Sequence, residues 1–312
     1  ASVTVITSQQ IRQYGWRNLA ELLKAQTGFD VFGDRIYRFI VSRGFYQAND
    51  PNSRILLLIN GHSVVESFGY YNGHLPTIDI NFIDRIEIVR GPNSVLYGTN
   101  AMFAVINIIT GQKKKHSGLT LFNELGNFGH NKFAFRLSPT LSKSDSVNLN
   151  LYASFHKGGK EILYFDEYDN AAYPSDGFSK GSANLEQLGN LYLDLSYQNL
   201  HLHVMYNNRK KHVPTGLYGG RFNDDRTFFQ DINGFAELKY SLNLSKKASL
   251  DFRLFTDFYQ FKGRYMYYAD ENWITGPPYE SEFNEVRNRS HGGELLYSLK
   301  LSKKHMTIIG AE

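Results

Sequence analysis

The stretch that decides the fold runs from Ile83 to Thr110 and reads IDRIEIVRGPNSVLYGTNAMFAVINIIT. Ile83, Ile86, Ile88 and Val89 make an apolar strand that carries Asp84, Arg85, Glu87 and Arg90. Gly91-Pro92 stops it, because proline has no N–H for a ladder and its fixed φ suits the first helical position. Asn93 to Tyr97 has room for one or two helical turns, with Gly98 as a flexible exit. Ala104 to Ile109 returns as a second apolar run of strand length. The result is a small α/β core with ionic side chains at its rim.

Upstream of this core the signals are local and varied. Val3 to Thr7 is a β-branched strand, and Thr7 with Gln10 makes a capping box at the start of a short helix ending near Gly15. Leu19, Leu22 and Leu23 are at helical spacing within Arg17 to Ala25, a second helix stopped before Gly28. Phe29 to Phe32 and Ile36 to Val41 are strand candidates joined at Gly33-Asp34. Arg54 to Ile59 is a continuous apolar run, hence a strand buried on both faces, and Asn60-Gly61 after it is a hairpin turn signal.

These residues closely resemble the plug domain of TonB-dependent outer-membrane receptors. The resemblance is carried by Asn18-Leu19-Ala20-Glu21-Leu22-Leu23, Thr27-Gly28-Phe29, Arg43-Gly44-Phe45 and Arg54 to Gly61. It is strongest in Ile83 to Ala101 and Val105 to Thr110, all in the family's order and spacing. Two departures are Phe103-Ala104, where small or glycine residues are usual, and Ser42 in place of a hydrophobic residue. The resemblance implies a plug domain over residues 1–112. A signal peptide and a TonB-contacting segment are expected to lie outside this sequence.

Composition points the same way for the remainder. The chain has 312 residues, 21 Tyr and 23 Phe but only 2 Trp, with 21% charged residues. A net charge of +4 without a dense basic cluster argues against nucleic acid, and the absence of cysteine excludes thiolate chemistry and a disulfide framework. No run of about 18 apolar residues is present for a membrane helix. Beyond the linker near Lys113–Lys115, alternation with period two takes over. Val147, Leu149 and Leu151 alternate with Asn148, Asn150 and Tyr152; Leu191, Leu193 and Leu195 alternate with Tyr192, Asp194 and Ser196. Short turns alternate with long segments at 157–186, 209–229 and 263–289, the asymmetry of an outer-membrane barrel.

The expected fold is therefore an α+β plug domain followed by an antiparallel transmembrane β-barrel over residues 117–312, truncated after about nine strands. A plugged barrel takes about 22 strands, and lipid tolerates no open edge, so the chain reads as part of a longer protein.

No catalytic set stands out, and no cofactor or resident metal is expected. His201 and His203 share one strand face, but no carboxylate stands at ligand spacing beside them in sequence. Asp224-Asp225 and Asp166-Glu167-Asp169 lack the rest of a calcium-loop pattern. Two loops, 44–53 and 66–75, carry Phe45, Tyr46, Asn49, Phe68, Tyr70 and Tyr71, which either contact ligand at the plug apex or pack against the barrel wall. The resemblance implies that Arg43 and Arg90 meet barrel glutamates, and strand phase selects Glu237 and Glu294 as lumen-facing partners. It also implies the inner-membrane TonB complex, the lipid bilayer and a small-molecule ligand such as a metal chelate as partners. The implied function is active import of a scarce nutrient across a Gram-negative outer membrane, a ferric siderophore or other iron complex first. Cobalamin, haem, a glycan or passive porin-type flow stand as alternatives.

Overall fold

The structure, a computed structural model, describes residues 2–45, 54–64, 78–111, 118–139, 147–170, 175–268, 280–302 and 305–312. The N-terminal domain opens with β1 (Ser2–Thr7) and α1 (Ser8–Tyr14). The capping box forms as expected: Thr7 Oγ1 accepts from the Gln10 amide at 3.3 Å and Gln10 Oε1 accepts from the Thr7 amide at 2.9 Å. Gly15 closes the helix at φ 70°, a left-handed position that glycine adopts without strain. Then come α2 (Leu19–Lys24), capped by Asn18, the hairpin of β2 (Phe29–Gly33) and β3 (Arg38–Ser42), β4 (Ile55–Ile59) and β5 (His62–Ser63).

A short 3-10 turn over Ile80–Phe82, capped by Asp79, leads into β6 (Ile83–Arg90); α3 (Ser94–Tyr97) and β7 (Ala104–Thr110) complete the domain. Its main sheet has the order β1-β6-β7-β4-β5, with β6 antiparallel to both neighbours and β4 parallel to β7. All five residues of β4 are buried, because side chains on both of its faces meet protein. Leu22, Leu23, Phe82, Ile83, Ile86, Ile88, Ile106 and Ile108 are almost wholly buried. Each such side chain contributes about 1.5–3 kcal/mol of burial energy, and together they form the core of the domain.

The second part is one antiparallel sheet of nine strands in sequential order. They are β8 (Gly118–Leu125), β9 (Asn131–Ser138), β10 (Val147–Gly158), β11 (Glu186–Tyr197), β12 (Leu200–His212), β13 (Phe228–Asn243), β14 (Ala248–Tyr267), β15 (Glu280–Lys300) and β16 (Met306–Ala311). Its edge strands β8 and β16 do not pair with each other among the described residues. Alternation sorts its two faces. Leu121, Phe133, Phe155, Leu191, Leu238 and Leu254 stand exposed on the outer face, while Arg136, Tyr152, Asn190, Asn207, Arg209 and Glu237 are buried on the inner one. A water-soluble sheet would not turn its aliphatic residues outward and its charges inward; a wall with lipid outside requires it.

Candidate functional site

The N-terminal domain is held against the inner face of the wall at three places, and each begins with a local feature of the sequence. The first is the turn after β4. Asn60 and Gly61 both have positive φ, 51° and 81°, the pairing of a tight hairpin turn. The β7 end of the opening stretch braces this turn. The Thr110 amide donates to Asn60 Oδ1 at 2.9 Å, and Asn107 Oδ1 accepts from the Gly61 amide at 3.1 Å. The turn delivers His62 to the wall, where it is 1% exposed.

There the imidazole stacks on Phe235 with ring centroids 4.1 Å apart and meets the edge of Phe255 at 5.4 Å. Its Nδ1 lies 3.1 Å from Glu237 Oε2 and its Nε2 lies 2.6 Å from Asp257 Oδ1. Glu237, wholly buried, also pairs with Lys239 at 2.7 Å and with Arg253, which reaches on to Glu294 at 3.5 Å. Arg253 Nη2 also lies 3.0 Å from His62 Nδ1, so three wall carboxylates, two wall cations and the imidazole share one cluster. Burial by itself would lower the imidazole pKa; the Asp257 and Glu237 carboxylates outweigh it, and His62 is held above its ordinary value.

The second contact uses the 3-10 turn at Ile80–Phe82. Lys132 of β9 binds Asp79 at 2.8 Å and Glu124 at 3.2 Å, and Glu124 accepts from Asn81 Nδ2 at 3.0 Å. Arg136 donates to the Phe82 carbonyl at 2.9 Å and lies 3.9 Å from Asp84. The Phe82 ring stacks on Tyr192 at 4.5 Å. The third contact is the tip of the β2–β3 hairpin. Ile36 is buried in a socket of Val213, Phe229, Tyr259, Phe261 and Tyr265. Arg209 donates to the Ile36 carbonyl at 2.5 Å while binding Glu186 at 2.6 Å, and the Tyr37 hydroxyl donates to Asp231 at 3.2 Å.

Glu237 and Glu294 therefore sit in one ionic cluster, but the group that reaches it from the N-terminal domain is His62. Arg90 is engaged within its own domain: Nε donates to the Thr27 carbonyl at 3.2 Å, Nη1 to Thr4 Oγ1 at 2.5 Å, and the guanidinium covers Phe29. It ties β6 to β1 and to the entry of β2, which keeps it from the wall. Arg43 is exposed at φ 51° and meets no wall acid among the described residues. The loop residues Tyr46, Asn49, Phe68, Tyr70 and Tyr71 lie outside the described residues.

His203 corrects a reading made from spacing alone. Asp194 stands opposite it on β11, with its carboxylate 3.0 Å from Nδ1, a neighbour that only strand register reveals. Asp224 is bound by Arg226 at 2.7 Å rather than left for a cation; burial opposes ionisation there, but the Arg226 bonds prevail and hold the carboxyl below its usual range. Sequence reasoning passed over His62, Lys132, Arg136 and Arg209. For the three cations the available signal was phase, since a charge on a barrel strand belongs on the inner face. For His62 it was position, one residue after a tight turn that follows a strand buried on both faces.

Comparison with known proteins agrees with this geometry. Residues 1–105 match the TonB-dependent Receptor Plug Domain family. A vitamin B12 transporter, BtuB, of Vibrio cholerae is 27% identical over 163 residues, 51% of this chain and 25% of the relative. That of Vibrio vulnificus is 32% identical over 122 residues, 38% of this chain and 19% of the relative. The match therefore spans a quarter or less of these relatives' length. Among solved structures, a ferric enterobactin receptor (PfeA) mutant from Pseudomonas aeruginosa superposes with TM-score 0.70 at 16% identity, over 99% of this chain and 48% of that one. The pyoverdine outer membrane receptor FpvA from Pseudomonas aeruginosa gives 0.69 at 15% identity, over 99% and 45%. At these identities the structural likeness concerns the fold.

Proposed function

We propose that this chain, whose residues 1–105 match the TonB-dependent Receptor Plug Domain family, serves energy-coupled import across a Gram-negative outer membrane. Residues 1–112 act as the stopper and residues 117–312 contribute wall. The observation that carries this reading is the charged cluster of His62, Glu237, Asp257 and Arg253 between stopper and wall. A passive channel has no use for a domain clasped at three places across its inner face. Ion pairs suit a stopper that must hold at rest and yield under a pull, because their attraction falls away as soon as water enters the gap.

The cargo is a metal chelate too large for open diffusion, with a ferric siderophore as the first reading. No bond is made or broken in transport; capture comes from shape and polar contacts, and direction from force applied to the stopper by the inner-membrane TonB complex. A corrinoid is the second reading, favoured by relatives named as vitamin B12 transporters. The test is uptake by cells whose only receptor of this kind is the full-length protein. Radio-iron siderophores and radio-cobalt cobalamin are offered with and without TonB. Uptake of one class, abolished when TonB is deleted, is expected. Uptake that persists without TonB overturns the proposal, and steady conductance of the purified protein in a planar bilayer supports a passive channel instead.

A further inference from the structure

His130 and His156 stand 26 residues apart in the chain, and strand pairing brings their rings together at one end of the sheet. His156 lies on β10 opposite Lys132, in the inward phase of the buried Tyr152 and Ser154. His130 closes the turn between β8 and β9, one residue before β9 begins. Two ring nitrogens face each other as a result. His156 Nε2 is 3.0 Å from His130 Nδ1, with ring centroids 4.7 Å apart.

The backbone around both rings is held independently of them. The His130 amide donates to the Asn127 carbonyl and the Gly126 amide to the His130 carbonyl, each at 3.0 Å. The Lys160 amide donates to the Phe128 carbonyl at 2.9 Å, which ties the turn to the residues that follow β10. Gly158 keeps open the space beside the facing nitrogens: a Cβ there would stand 3.1 Å from His156 Nε2 and 3.5 Å from His130 Nδ1. The His130 side chain is 36% exposed, so an ion from solution reaches the pair. The neighbouring cation, Lys132, is already paired with Asp79 and Glu124. On its far side His130 Nε2 lies 3.8 Å from Glu124 Oε2. A ring that ligates through Nδ1 carries its proton on Nε2, where a carboxylate orients it.

We infer that His130 and His156 form a binding site for a late divalent transition-metal ion, copper(II) first. The site is independent of the importer reading and of its cargo. Imidazole nitrogen is the protein ligand such ions take most often. With metal–nitrogen bonds of about 2.0–2.1 Å, nitrogens 3.0 Å apart subtend about 91–97° at the metal. That is the cis angle of tetragonal coordination rather than the roughly 109° of tetrahedral zinc. Copper(II) favours that geometry and heads the affinity order of the divalent first-row ions. Among the described residues no group of three or more His, Cys, Asp or Glu side chains forms a cage, so water fills the remaining positions. An ion held by both rings bridges the β8–β9 turn to the end of β10.

The test titrates copper(II) chloride calorimetrically into the full-length receptor in detergent, in a non-coordinating buffer at about pH 7.5, where free imidazole is neutral. The bound ion is then examined by electron paramagnetic resonance. Losing an outer partner of a ligand costs roughly 10–100-fold in metal affinity, so losing a ligand itself, in His130→Gln or His156→Gln, is expected to weaken this site at least about 100-fold. The wild type should show one copper more than either variant, with hyperfine splitting from two nitrogens that falls to one in each. Thermal melts of the metal-free proteins control for folding; should His156→Gln fail to fold, His130→Gln in its exposed turn decides alone. Copper binding equal in number and affinity in the wild type and His130→Gln shows a pair that only hydrogen-bonds and overturns the inference. A two-nitrogen signal that neither substitution alters overturns it too. Either result leaves the importer reading standing, since that reading falls only to the uptake test.

Discussion

His62→Phe isolates the ionic part of the contact between stopper and wall. Phenylalanine keeps a ring between Phe235 and Phe255 but removes both nitrogens. Glu237 retains Lys239 and Arg253, so it is not stranded; Asp257 keeps the Ser290 hydroxyl, 3.3 Å away. Two hydrogen bonds to charged groups are lost, each about 1.5–3 kcal/mol, offset by the cost of burying the imidazole in the native protein. A net weakening of about 2–4 kcal/mol follows, which raises the fraction of detached stopper about 30- to 900-fold. The assay is bilayer conductance of the full-length receptor against urea, since a stopper that leaves the wall opens a path. With a slope of about 2 kcal/mol per molar urea, the midpoint of opening falls by about 1–2 M.

The same assay has a pH arm. The groups facing His62 are Glu237, Asp257, Lys239, Arg253 and Glu294, and burial's downward pull on its pKa is outweighed by the carboxylates. A raised folded pKa means that the stabilisation is fully present below about 6.5, the ordinary histidine value, and is lost as pH rises through the folded value. The wild-type midpoint should therefore fall between mildly acidic and alkaline pH, while that of His62→Phe stays flat across the window. A midpoint unmoved by the substitution, and equally pH-dependent in both proteins, refutes the reasoning.

Lys132→Met leaves the buried Asp79 carboxylate without its cation, with the Asn81 amide still donating at 3.0 Å, and is expected to lower the same midpoint, with a cost of about 3–5 kcal/mol; an unchanged midpoint would show that water takes over the role. Leu254→Arg places a charge on the exposed outer face beside inward-facing Arg253. It should cost about 2–4 kcal/mol if the site is at mid-bilayer, read as reduced heat-modifiable folded receptor in outer-membrane fractions; normal yield would deny that this face meets lipid. Thr7→Ala removes the side-chain half of the α1 capping box and should cost about 1 kcal/mol, measured as faster hydrogen exchange at the Gln10 amide with no effect on cargo binding.

Features set by neighbours in the chain were legible from the residues alone. The capping box of Thr7 and Gln10, the turn at Asn60-Gly61, the proline-stopped strand at Arg90 and the period-two strands each depend on a handful of adjacent residues, and each is present. So is the sheet of nine strands, because inward and outward residues alternate whatever lies across the lumen. The 3-10 turn at Ile80–Phe82 carries a single local signature, the cap at Asp79, whose Oδ1 accepts from the Asn81 amide at 3.0 Å.

The pairings at the contact between stopper and wall were not legible, for a physical reason. His62 is separated from Glu237 by 175 residues and from Asp257 by 195, and nothing local to either strand specifies that approach. Strand phase put Glu237 on the inner face, but phase does not say which residue stands across from it. Within the opening stretch, Ile83 to Thr110, the sequence by itself determined a strand, a turn of helix and a strand with charges at the rim. Only the tertiary structure assigned those charges: Asp84 toward Arg136 of the wall, Arg85 to Glu87 at 2.7 Å, and Arg90 inward to Thr4 and Thr27. Backbone propensity is written in adjacent residues, whereas the ion pairs between stopper and wall form only where the packed fold brings distant segments together.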